Sequence, residues 1–488
     1  MDFATVKRAV ITGFAWQGAT KVVVQTASWA STIFVARLIA PSDYGVMAAA
    51  AMFTQLLVLV TELGMAQGLI QAKETTRRQE DGVFYLSLLL GVLTYGGLYL
   101  VTPFVAAFFD MPILNQILPV LGVVVILGSL KTVPLAIVMR KMNFRYRSLV
   151  EMGQSLVMTV TVIVLAVQGF GVWSLVWGPI AANLFVALAY LPLLKRIPLP
   201  TMFSSAVVRI VSFGVKVTAT NVLYFSWTRS DVTIIGRFLG ERALGFYSMA
   251  FQFALLPLDK VGSIFNQVLF PALSRLQDNL AESRQLFLSL HRALLIISYP
   301  LIFGLIAIAD DFIELLLTEV WLPIVPYLQV LCLVSAVRIS GMLMPPVLYA
   351  RGQPGLMVRY SVLCASVLPL TFFIGAQYGL PGVVLGWLLV YPFLYLVLAR
   401  FGLRALGLRW RELLQSAAPA VTATLAMFLG VVLFRTYFAE SLPLFTRVFA
   451  AIGVGGALYL GVLAVLFRTQ LAELKQRVLM LRGGNASL

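Results

Sequence analysis

Apolar residues along this chain come in long unbroken runs, and polar residues come in short clusters between them. A helix needs about 20 apolar residues to cross a bilayer. Runs of that length fall at about 12–38, 44–70, 82–109, 114–139, 147–168 and 171–194, and again at 211–237, 245–272, 287–309, 324–350, 357–377 and 380–400. Two more, at 413–434 and 445–467, close the series. Proline recurs inside the runs (Pro257, Pro300, Pro345, Pro346), which helices in lipid tolerate as kinks. The pattern predicts an all-α membrane protein with about 14 transmembrane helices.

The polar breaks carry a second signal, an internal repeat. Thr32–Phe53 reads TIFVARLIAPSDYGVMAAAAMF, and Val232–Phe253 reads VTIIGRFLGERALGFYSMAFQF. Set together without a gap, Arg37 falls on Arg237, Gly45 on Gly245 and Phe53 on Phe253. The match extends to PLAIVMR at Pro134–Arg140 against PPVLYAR at Pro345–Arg351. Two six-helix lobes are therefore expected, 1–200 and 201–405, followed at 406–488 by two extra helices and an amphipathic tail. Each lobe starts inside and has an even number of spans, so the lobes run parallel about a pseudo-twofold axis along the membrane normal.

Composition sharpens this picture. The 488 residues are 60% apolar and only 11% charged, and the mean hydropathy is +0.94. No soluble domain has that balance. A net charge of +16 would point to nucleic acid in a soluble chain, but here its distribution explains it. With the N-terminus inside, the outer segments hold five of the 36 basic residues (Arg37, Arg237, Arg242, Arg435, Arg447) and the spans hold six, leaving 25 for the inner segments. That asymmetry places both termini in the cytoplasm. The outer stretch 310–319 is acidic instead, with Asp310, Asp311, Glu314 and Glu319.

Enzyme chemistry is missing from the pattern. The single histidine, His291, has no partner cluster and is read as structural. Cys332 and Cys364 sit in apolar runs as core filler. No metal-ligand spacing and no phosphate-cradling glycine loop occurs, so no cofactor is expected. Every loop is too short to hold a catalytic domain.

Ionisable residues within the spans carry the functional signal, because they are costly there unless they face a partner or a wet cavity. Lys21, Arg229, Lys260 and Arg338 are the candidate cavity cations, and Glu62, Asp231 and Asp259 the candidate cavity or coupling carboxylates. Lys131 and Lys216 either line the cavity or snorkel to the inner surface. Arg338 is the deepest, roughly 12 residues from either end of its span. Most tryptophans, Trp321 and Trp387 among them, are expected as interface anchors. Trp227 and Tyr224 beside Arg229 are candidates for stacking on sugar.

The stretches FVARLIAPSDYG (34–45), GLIQAKE (68–74), GRFLG (236–240) and LFPALSRLQD (269–278) resemble the polysaccharide-transporter branch of the multidrug/oligosaccharidyl-lipid/polysaccharide exporter superfamily. The resemblance runs over most of the chain. It implies a non-enzymatic flippase of the bacterial cytoplasmic membrane, working by alternating access. Its cargo would be an oligosaccharide linked to a lipid diphosphate of the undecaprenyl type, for exopolysaccharide or lipopolysaccharide synthesis. Membrane lipids, a polysaccharide polymerase and export machinery are the implied partners, and no nucleic acid. A lipid II-type precursor flippase and a cation-coupled multidrug exporter are the alternatives. A drug exporter would favour carboxylates in its cavity, whereas cations outnumber carboxylates in these spans six to three.

Overall fold

A computed structural model describes residues 28–71, 75–194, 221–276, 279–438 and 442–467, with isolated positions at 24, 198, 212, 215 and 218. Every regular element among them is helical. Residues 28–36 and 221–228 are helical. The first unit then contains α1 (Pro41–Glu62), α2 (Met65–Gln71), α3 (Arg77–Phe109), α4 (Leu114–Arg140), α5 (Phe144–Val167) and α6 (Val172–Tyr190). They are followed by α7 (Ser230–Arg275), α8 (Leu280–Ala307), α9 (Ala309–Leu316), α10 (Val325–Gly341), α11 (Met344–Ala350), α12 (Pro354–Ala376), α13 (Gly379–Leu406), α14 (Trp410–Phe438) and α15 (Leu444–Leu466).

Among the described residues, 11 helical stretches are long and apolar enough to span, with α1 plus α2 and α10 plus α11 each forming one broken span. These match 11 of the expected runs. Of the remaining runs, 12–38, 211–237 and 245–272, the described parts are mainly the helical segments 28–36 and 221–228 and α7. The chain is a multi-span, all-helical membrane protein.

Local chemistry sets the helix limits. Pro41 opens α1 from an extended Ala40, where its missing N–H costs nothing. A capping box opens α3: the Thr76 side chain accepts from the Gln79 N–H, and Gln79 Oε1 accepts from the Thr76 N–H. Leu63 and Gly64 at φ 39° and 59° end α1 within its span. Gly240, at φ 80° and ψ 178°, divides α7, a conformation that glycine reaches without strain.

By internal contacts the chain divides into two units, Met1–Ser248 and Met249–Leu488. In the first, the two copies of the repeat hairpin meet each other. A Cβ on Gly45 would lie 1.7 Å from the Glu241 carbonyl oxygen, and one on Gly245 would lie 1.7 Å from the Pro41 carbonyl oxygen. Positions 41 and 241 are equivalent in the repeat, as are 45 and 245, so the contact is reciprocal: a local twofold passes between the glycines. Val35 and Ile39, flanking Arg37, pack on Val162 and Ala166 near the end of α5. Arg237 lies over Phe108 at the end of α3. Both arginine turns thus lie at the same end of this unit, as a parallel repeat requires.

In the second unit the two helices without a repeat counterpart, α14 and α15, are docked through Ala423, Met427, Val431, Val448 and Ala451 onto Ala307 and Ile308. The Tyr459 hydroxyl donates to the Ile296 carbonyl at 2.7 Å. The acidic stretch closes the same seam: Arg435 meets Asp310 and Asp311 at 2.8 Å each, and Arg447 meets Asp311 at 2.8 Å. His291 has the structural place expected of it. It is buried, stacks on Phe287 and lies 2.8 Å through Nδ1 from Ser416 Oγ on α14. Because Ser416 donates to the Leu413 carbonyl, Nδ1–H is the donor between them.

Candidate functional site

Arg338 stands in the last turn of α10, just before Met342 and Leu343 separate α10 from α11 inside one span. That end of a helix carries partial negative charge and favours a cation. Arg338 is half-buried, and three rings lie around its guanidinium. Its Cζ lies 5.7 Å from the Phe251 ring centre, 5.5 Å from Trp387 and 5.8 Å from Tyr391. Such contacts contribute about 0.5–2 kcal/mol each, more when water is excluded. Among the described residues no carboxylate pairs with Arg338. Among the described residues, cation–π contact stands in place of the ion pair that an intramembrane arginine ordinarily needs.

The sequence explains how the cage is built. Trp387 and Tyr391 are four apart on α13 and share a helix face. Phe372 of α12 backs the indole at 4.9 Å. Phe251 comes from α7. The surroundings are close-fitting: a Cβ on Gly341 would meet the Tyr395 ring at 3.0 Å, and one on Gly262 would meet Met342 Sδ at 1.9 Å. Hence the break in α10 packs directly on α7.

The other expected site residues are placed unevenly. Arg229 lies between the helical segment 221–228 and α7, with its Nη2 donating to Gln55 Oε1 at 3.4 Å. Asp231 is 1% exposed. Its Oδ2 accepts from the Tyr247 hydroxyl and its Oδ1 from the Val232 N–H at 2.7 Å. Glu62 is the last residue of α1, at the Leu63–Gly64 reversal. Lys21 and Lys216 lie outside the described residues, as do the side chains of Asp259 and Lys260. Glu62, Arg229 and Asp231 belong to the first unit and Arg338 to the second.

Sequence reasoning missed the cage and misread its central ring. Trp387 is fully buried rather than an interface anchor, and so is Trp321 at 1% exposure. Trp227 is also buried, edge-on to Tyr224 at 5.2 Å, so its ring is occupied by the protein. The i, i+4 pairing of Trp387 and Tyr391 was the available signal. What could not be read was that Phe251, far away in sequence, joins them.

Two cavities lie elsewhere. An apolar one of about 570 Å³ in the second unit is lined by Leu256, Leu301, Met427, Ile452 and Leu460, among others, and suits a hydrocarbon chain. A mixed one of about 320 Å³ in the first unit is edged by Arg77, Glu80, Asp81 and Lys141.

A multi-span helical chain whose repeated hairpins meet about a local twofold has the fold of known membrane proteins: it superposes on the lipid II flippase MurJ, inward closed conformation, with a TM-score of 0.73 at 14% identity, over 94% of this chain and 100% of that one. An inward-facing multidrug resistance MATE family transporter of the MOP superfamily follows with a TM-score of 0.64 at 15% identity, over 78% of this chain and 94% of that one. The chain belongs to the family described as "Polysaccharide biosynthesis protein", which matches residues 34–326. It is similar to the lipopolysaccharide biosynthesis protein WzxC of Escherichia coli, 23% identical over 79% of both chains. It is likewise similar to the succinoglycan biosynthesis transport protein ExoT of Rhizobium meliloti, 25% identical over 68% of this chain and 67% of that one.

Proposed function

We propose that this protein is a flippase for an oligosaccharide carried on a polyprenyl diphosphate, moving it across the cytoplasmic membrane by alternating access for polysaccharide synthesis. The observation that carries the reading is Arg338: an intramembrane guanidinium with no carboxylate partner among the described residues, beside a helix break, in a chain of a polysaccharide-biosynthesis family. A diphosphate is the anion such a cation suits. The apolar cavity in the same unit suits the polyprenyl chain.

In this reading Arg338, Arg229, Lys21 and Lys260 attract the diphosphate, while Glu62, Asp231 and Asp259 tune or couple the cycle. The protein performs no bond chemistry of its own. Its lobes are 1–200 and 201–405 with 406–488 appended, both termini face the cytoplasm, and a polymerase consumes the delivered unit.

The test is polymer export in a strain whose only copy is Arg338→Ala. Export is expected to be lost while the protein still reaches the membrane in normal amount. Arg338→Lys keeps the charge but not the fork that suits phosphate, so partial export is expected. Undiminished export by Arg338→Ala would overturn the assignment.

A further inference from the structure

We propose that Phe251, Trp387 and Tyr391 are positioning residues. They hold the Arg338 guanidinium through cation–π contact with their ring faces and leave its N–H groups, which make no hydrogen bond among the described residues, for the diphosphate of the lipid-linked saccharide. The inference rests on the functional reading above and adds how the cation is kept ready.

A cation inside a span has two ways to be stabilised by its own protein. A carboxylate would pair with the N–H fork, and an incoming phosphate would then have to displace it. Ring faces act differently, because their negative quadrupole attracts the charge without accepting the in-plane N–H groups. Among the described residues Arg338 has the second arrangement: three ring centres lie 5.5–5.8 Å from its Cζ. No hydrogen bond from its side chain forms among the described residues. The carboxyl end of α10 adds favourable partial charge.

The cage is also stiff. Trp387 is 0% exposed and is backed by Phe372. Tyr391 is held on the same helix face at 5.6 Å from Trp387, ring centre to ring centre. A guanidinium fixed in this way pays less ordering entropy when it grips a ligand than one on a free stem. Without the indole, Arg338 is free to turn its fork toward a carbonyl or carboxylate, and phosphate affinity falls.

The experiment uses the full chain in lipid nanodiscs, with undecaprenyl diphosphate and uncharged undecaprenol as probes. Trp387→Leu is expected to weaken diphosphate binding about tenfold, the scale of a buried cation–π contact. It should leave undecaprenol binding unchanged. Trp387→Phe keeps a ring and should stay within about twofold of the wild type. In an Arg338→Ala background, Trp387→Leu should cause no further loss. Tyr391→Leu gives the same comparison at the less enclosed ring if Trp387→Leu does not fold. Wild-type diphosphate affinity in both leucine variants overturns the proposal, as does an equal loss for the two lipids. A wild-type protein without preference for the diphosphate would refute the lipid-diphosphate reading itself, and this proposal with it.

Discussion

The meeting of Gly45 with Gly245 can be tested by adding one carbon to each side. Alanine at 45 would put its Cβ 1.7 Å from the Glu241 carbonyl oxygen and 2.6 Å from the carbonyl carbon. Ordinary contact begins near 3.4 Å, so the two hairpins must part by about 1.7 Å locally. The obstacle is backbone, which cannot rotate aside as a side chain can. The cost therefore belongs at the upper end of the overpacking range of about 1–3 kcal/mol. For a unit of this size that lowers the melting temperature by roughly 2–4 °C per kcal/mol.

Gly245→Ala meets the Pro41 carbonyl at the same 1.7 Å and should cost as much. Once one substitution has parted the hairpins, the second should add little, so the double variant falls well short of the sum. Gly97→Ala is the control. Nothing lies within 4 Å of a Cβ there, and alanine in a helix interior gains about 0.5–1 kcal/mol over glycine. The assay is the fraction of monodisperse purified protein surviving heating, at one heating rate for all variants. Wild-type melting of Gly45→Ala, or strict additivity in the double variant, would refute the local twofold contact.

Further outcomes follow from other contacts. His291→Phe keeps the stack on Phe287 but removes the Nδ1 bond to Ser416, whose hydroxyl keeps its bond to the Leu413 carbonyl, so it should cost about 0.5–1.5 kcal/mol of stability and leave export intact. Lost export at normal abundance would give His291 a functional role instead. Thr76→Ala removes the capping box of α3 and should cost about 1 kcal/mol; an unchanged melting point would show that the box contributes nothing. Reporter fusions after Arg147 and Arg482 should read as cytoplasmic and one after Glu319 as external, and a C-terminal reporter outside would mean a miscounted span.

Much of the protein was legible in the order of its residues. Apolar runs of spanning length are enough to set helices in a bilayer, because lipid leaves the backbone no partner but itself. The lopsided basic residues predict an orientation for those helices, which the reporter fusions would test, and the gapless repeat predicts paired lobes. Membership of a polysaccharide-biosynthesis family agrees with the stretches around 34–45 and 236–240. Arg338 also stood out early, since depth within a span is a one-dimensional property.

Tertiary structure decided the rest. Two glycines 200 positions apart are unremarkable until their backbones touch, when each excludes a Cβ from the other. The Asp310–Asp311–Arg435–Arg447 network needed α9, α14 and α15 brought to one place. Trp387 read as an anchor because a tryptophan in a span gives the same signal whether it faces headgroups or a neighbouring helix. Which side of α13 turns inward depends on packing with α12 and α10, and no local pattern encodes it. The charge of Arg338 was written in the sequence, but the rings that hold it come from two helices, α7 and α13, that the sequence keeps far apart.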